Sequence, residues 1–135
     1  MLALGTQHGL ARASGAAMNI VLAAHSREVK TSLYLALNTV SNITIVATAA
    51  STAEFVSYCH SFLPDVAIVE TGLPGRPLPE VLTELEQSAT PRRILIIGGD
   101  EATDLVNGAA GTELLRDIDH LASILPELEL ENGIR

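Results

Sequence analysis

Apolar residues gather in five short runs, 19–23 (NIVLA), 43–47 (ITIVA), 66–69 (VAIV), 93–97 (RILII) and a weaker one at 112–115 (TELL), each of strand length. Between the runs the period changes, and apolar positions recur every three to four residues. Val29, Leu33, Leu37 and Val40 form one such stripe, with Arg27, Glu28 and Lys30 left to water, and Phe55, Cys59 and Phe62 form the next. Val81, Leu82 and Leu85 predict a third helix behind Pro79, whose fixed φ suits a first helical turn. Asp100 is placed to cap a short fourth helix ending at Gly108, and a final helix is predicted from about Asp117 to Leu125, stopped by Pro126. Ser26 precedes the first helix as an N-cap, and Ser51 followed by Glu54 has the spacing of a capping box. Pro64 closes the second helix.

The repeated unit is a strand followed by a helix, five times. Strands this uniformly apolar are covered on both faces, which predicts a parallel sheet with helices on either side and right-handed crossovers. The expected class is α/β, a doubly wound three-layer arrangement. Its functional groups are expected at the carboxyl ends of the strands, where the strand order reverses. A length of 135 residues suits one domain, here 18–125. Residues 1–17, ahead of Met18, read as a tail or added leader, and 126–135 as a C-terminal tail or linker.

Composition narrows the function. The apolar share is aliphatic, with two Phe, two Tyr and no Trp, and the formal net charge of -8 is the opposite of a nucleic-acid footprint. No run reaches the roughly 18 apolar residues of a membrane span, and the N-terminal stretch lacks the basic and apolar regions of a signal peptide. A cytoplasmic protein is expected. Cys59, the single cysteine, lies on an apolar helical stripe and reads as a small buried hydrophobe.

Few residues suggest chemistry. His25 follows the first strand but has no Cys, His or acid at metal-ligand spacing, and it reads as a loop or cap residue; His60 and His120 lie in helical patterns. Gly98-Gly99-Asp100 leads from a strand into a helix and could receive an anion, yet it lacks the GxGxxG spacing and the Gly-Lys-Ser/Thr ending of phosphate loops. An ordinary tight turn is the simpler reading. No catalytic, metal or cofactor set is recognisable.

The five-unit order, together with Glu70-Thr71-Gly72-Leu73-Pro74-Gly75 after the third strand, resembles the receiver domain of two-component response regulators over residues 18 to about 125. Ala23-Ala24-His25-Ser26 sits where DNA-binding members often carry Asp-Asp-His-Pro. The resemblance implies a flavodoxin-like (βα)5 sheet. It also implies a phosphorylation site, and every part of that site is changed. The two metal-holding acids align with Ala23 and Ala24, whose methyl groups cannot ligate a hard cation that takes oxygen ligands. The phosphoacceptor aligns with Glu70, one methylene longer than aspartate, and the hydroxyl expected after the fourth strand aligns with Gly98. The lysine aligns with Arg116 if one residue is inserted, and otherwise with Leu115; Thr112 or Glu113 stands near the aromatic switch position.

The resemblance therefore points to a degenerate, phosphorylation-independent receiver that is not an enzyme, needs no cofactor and works by binding a protein: another receiver, a kinase or an effector domain. Glu70 is read either as a permanent phosphate mimic or, preferably, as paired with Arg116 or solvated at the rim. A homodimer is expected, because Ile118, Leu121, Ala122, Ile124 and Leu125 form more apolar surface than one covered helix face needs. Two alternatives remain open: the regulatory part of a DNA-binding regulator, and a small-molecule binder, which would need an enclosed pocket at the strand ends.

Overall fold

The computed structural model describes residues 18–88, 91–108, 111–115, 118, 121 and 123–125. Five strands, β1 (Met18–Ala23), β2 (Ile43–Ala49), β3 (Val66–Glu70), β4 (Arg93–Ile97) and β5 (Thr112–Leu114), alternate with four helices, α1 (Arg27–Leu37), α2 (Thr52–Phe62), α3 (Leu78–Ser88) and α4 (Asp100–Gly108). Every strand pair is parallel and the order across the sheet is β2-β1-β3-β4-β5. This is the doubly wound parallel sheet that the apolar runs predict, in the flavodoxin-like order that the resemblance implies. The order reverses at β1, which is flanked by β2 and β3.

Alternation along each strand builds two cores. From β1, Val21 and Ala23 face one side, where Phe55 and Cys59 of α2, Val81, Leu82 and Leu85 of α3, and Ala102 and Leu105 of α4 cover the sheet. Ile20 and Leu22 face the other, packed with Leu33 and Leu37 of α1 and with Leu115, Leu121 and Leu125. A fully buried Leu or Ile contributes roughly 1.5–3 kcal/mol relative to leaving it in water. The two clusters together hold the three layers in place.

The caps form as the serines imply. The Ser26 hydroxyl accepts a hydrogen bond from the Val29 N–H at 3.3 Å, and the Ser51 hydroxyl from the Glu54 N–H at 3.2 Å. The Glu54 carboxylate reaches back one residue beyond the usual partner and accepts from the Ala50 N–H at 2.9 Å. At the other end of α2, Leu63 adopts φ +47°, and its N–H closes the helix on Cys59 O at 3.0 Å, directly ahead of Pro64.

Several expectations are corrected in detail. Phe62 is 45% exposed rather than part of the buried face, because α2 ends there and its ring turns to Tyr58, edge to face at 6.1 Å between centroids. Strand β2 lies at the sheet edge, so Ile43, Ile45, Val46 and Ala47 are half-buried rather than covered on both faces. The β1–β2 register shifts between Ile20 and Val21, which pair with Ile45 and Ala47, so Val46 has no opposite residue. Helix α3 begins at Leu78, one residue before Pro79. Gly99, not Asp100, provides the carbonyl at the start of α4, accepting from Ala102 and Thr103, so Asp100 and Glu101 fall in the first turn, where negative charge favours a helix.

Near the C-terminal end, Leu121 and Leu125 are buried, and Ile118 and Ile124 are half-buried against the same core. These four positions pack against the second core, two of them fully covered. Ala122, Arg116 and His120 lie outside the described residues, as do 1–17 and 126–135.

Candidate functional site

The carboxyl edge of the sheet places the ends of β1, β3 and β4 side by side, with Ala23 beside Val69 and Glu70 beside Ile97 in the registers. Ala23 belongs to β1 itself, and both Ala23 and Ala24 are fully buried. The Ala24 N–H donates to Ala49 O at 3.0 Å, which fixes the chain as it leaves the strand. Neither alanine presents an oxygen-bearing side chain to the strand ends.

Glu70, the last residue of β3, reaches across the opening that the strand order leaves between β1 and β3. Its Oε1 accepts hydrogen bonds from the His25 N–H at 3.0 Å and from the Ser26 N–H at 3.1 Å. Its Oε2 lies 3.7 Å from His25 Nε2, and the side chain is only 13% exposed. Glu70 is therefore not solvated at the rim; backbone donors ahead of α1 hold it. A carboxylate accepting from N–H groups forms charge-assisted bonds, stronger than neutral ones. An aspartate here would fall one methylene short of this reach.

His25 completes the arrangement from the loop. Its Nε2 stands 3.3 Å from Thr71 O as well as beside Glu70, and the ring is 42% exposed. Gly72, at φ +87°, makes room for it: a Cβ there would come within 3.1 Å of His25 Nε2. The loop after β3 and the loop after β1 are thus joined through one acid, one imidazole and one backbone carbonyl.

On the opposite flank, Thr71 takes the space that a side chain at position 98 would occupy. Its N–H donates to Ile97 O at 3.0 Å, and a Cβ on Gly98 would lie 2.2 Å from Thr71 Oγ1 and 2.9 Å from its Cγ2. Gly98 brings no hydroxyl to the position after β4, and the hydroxyl of Thr71, the residue after β3, stands next to that spot. This relation joins neighbouring strands and has no sequence spacing, so residue patterns gave no sign of it.

At the far edge, Leu115 is buried in the second core and its N–H donates to Ile96 O at 2.8 Å, so it cannot offer a polar group to the strand ends. Glu113 Oε2 accepts from Arg93 Nη1 at 2.9 Å, tying β5 to β4. Among the described residues no group of three or more His, Cys, Asp or Glu could hold a metal ion. Cys59 is buried, and desolvation pushes its thiol from 9.0 up to about 12, which keeps it protonated and unreactive. Among the described residues no helix is long and apolar enough to cross a membrane.

The sequence matches no protein-family model and no curated protein. Solved structures do match. The signal receiver domain of the response regulator NarL from Mycobacterium tuberculosis superposes with a TM-score of 0.72 at 17% identity, covering 85% of this chain and 98% of that one. The response regulatory domain of protein mrkE from Klebsiella pneumoniae gives 0.72 at 15% identity, covering 87% of this chain and 100% of that one. A LuxR-family two-component response regulator from Aurantimonas sp. SI85-9A1 gives 0.68 at 22% identity, covering 86% and 87% of the two chains. With five parallel strands in the same doubly wound layout, the chain has the fold of response regulator receiver domains.

Proposed function

We propose that this chain is a receiver-type signalling domain that acts without phosphorylation, by binding a protein partner through a surface whose conformation is fixed. The observation that carries this reading is the engagement of Glu70. Its carboxylate is held by the His25 and Ser26 N–H groups, over two buried alanines where the resemblance implies metal-holding acids. The residues present do not fit the divalent cation that family receivers use, since Ala23 and Ala24 offer no oxygens and Glu70 is already bonded. Gly98 packed against Thr71 removes the second element, a mobile hydroxyl after β4.

The partner is another receiver, a kinase or an effector domain, and a second copy of the chain is included among these. Self-association rests on the resemblance, with Leu121 and Leu125 buried in the core and Ile118 and Ile124 half-buried against it. Light scattering of the chain with and without acetyl phosphate and magnesium tests the reading. The association state should be the same in both conditions; a change of state on adding the phosphodonor would overturn it.

A second reading has its own support. The Aurantimonas structure and a DNA-binding response regulator from Staphylococcus aureus, at 16% identity and a TM-score of 0.68, both carry LuxR-family names. The same domain would then regulate an attached DNA-binding unit. A natural sequence continuing past 135 into a helix-turn-helix would favour that reading, with the fixed surface serving dimerisation.

A further inference from the structure

We infer that the strand-end opening between β1 and β3 is plugged by the chain itself, with the Glu70 carboxylate acting as a tethered ligand that keeps every free anion out. Two backbone N–H groups, from His25 and Ser26, converge on one oxygen of Glu70 at 3.0 and 3.1 Å. They lie at the entrance to α1, an 11-residue helix whose N-terminal end carries partial positive charge and favours an anion. The ligand that this geometry calls for is present, and it comes from β3.

Two neighbours make the plug durable. His25 covers the second carboxylate oxygen at 3.7 Å, in space left open by Gly72, where a Cβ would crowd the ring at 3.1 Å. Ala23 and Ala24, both buried, bring no like charge that would push the carboxylate away. A free anion must compete with a group whose effective concentration at the site is of order millimolar or above, because it is attached through the chain. The loop between β1 and α1 is then held in one position whatever anions or phosphodonors surround the protein. The inference stands on this geometry and would survive a different choice of partner from the one proposed above.

Amide NMR on the full 135-residue chain reads it directly, with acetate as the probe anion, in wild type, Glu70→Gln and Glu70→Ala. In wild type the His25 and Ser26 amides should exchange slowly and show no saturable shift with acetate. Glu70→Gln keeps an acceptor oxygen and should behave alike. Glu70→Ala should exchange about tenfold faster at these two amides, the factor that 1.4 kcal/mol supplies, and should show saturable acetate shifts at both. Saturable acetate shifts in wild type would overturn the inference, as would exchange that Glu70→Ala leaves unchanged. Should Glu70→Ala not fold, fast exchange of both amides in wild type would overturn it by itself.

Discussion

Restoring a hydroxyl side chain after β4, by Gly98→Ser, should destabilise the domain, and the size of the loss follows from the contact with Thr71. The new Cβ would stand 2.2 Å from Oγ1, 2.9 Å from Cγ2 and 3.1 Å from Cβ of Thr71. Thr71 cannot back away freely, since it is β-branched and its N–H is bonded to Ile97 O. Forcing a side chain into such a place costs about 1–3 kcal/mol. The φ of +152° at Gly98 adds strain for any residue with a Cβ, about 1–3 kcal/mol where such conformations are imposed. A total near 3 kcal/mol shifts a urea midpoint by about 1.5 M at an m-value of about 2 kcal/mol per M. Thr71→Ala removes the two nearest atoms but leaves Cβ and the strained φ. In that background the serine should therefore cost about 1–2 kcal/mol less, a coupling typical of side chains in contact. A Gly98→Ser midpoint within about 0.3 M of wild type, or an equal loss in both backgrounds, would refute the packing argument.

Three further outcomes follow from separate features. Ser26→Ala and Ser51→Ala should each lower stability by about 1 kcal/mol in chemical denaturation, because each removes an N-cap acceptor, and a neutral result would remove the caps from the account. Cys59 should react with a thiol-specific disulfide reagent only on unfolding. Because its folded pKa is raised from 9.0 to about 12, the unfolded thiol ionises first as pH rises. Stability should thus fall between pH 9 and 12, with a shallower fall in Cys59→Ala; identical slopes would show that burial does not suppress the thiolate. Ile124→Glu should lower stability by placing a charge against the second core, so a fully stable variant would show that this position faces water.

The strands and most helix starts were legible because their signals are local. A β-branched run between polar segments marks β2, and a serine three residues before a glutamate marks the entry to α2. The covered face of α1 at Leu33 and Leu37 followed from period alone. Phe62 broke the same rule, since an apolar stripe does not show where a helix stops, and an αL residue at Leu63 turns the chain before the last ring is covered. Near 118–125 the sequence shows only that apolar residues are dense; it does not show that Leu121 and Leu125 are buried while Ile118 and Ile124 are half-buried against the same core, because it gives no count of neighbouring layers.

At the site, the positions were legible and their partners were not. Ala23, Ala24, Glu70 and Gly98 stand at the strand ends. The sequence offers Glu70 either Arg116, which lies outside the described residues, or water, because only charged side chains are visible in a sequence. Its partners among the described residues are two backbone N–H groups and the His25 ring, and backbone donors look the same at every position. Thr71 was missed for a related reason: it fills a gap left by a glycine on the neighbouring strand, and only the register of β3 against β4 brings the two together.

The central claim, a receiver fold that signals without a phosphoryl group, is tested most directly by the intact mass of the chain after incubation with acetyl phosphate and magnesium. Two buried alanines and a bonded glutamate predict an unchanged mass, with and without the metal. A magnesium-dependent gain of one phosphoryl group, lost on Glu70→Ala, would contradict the account.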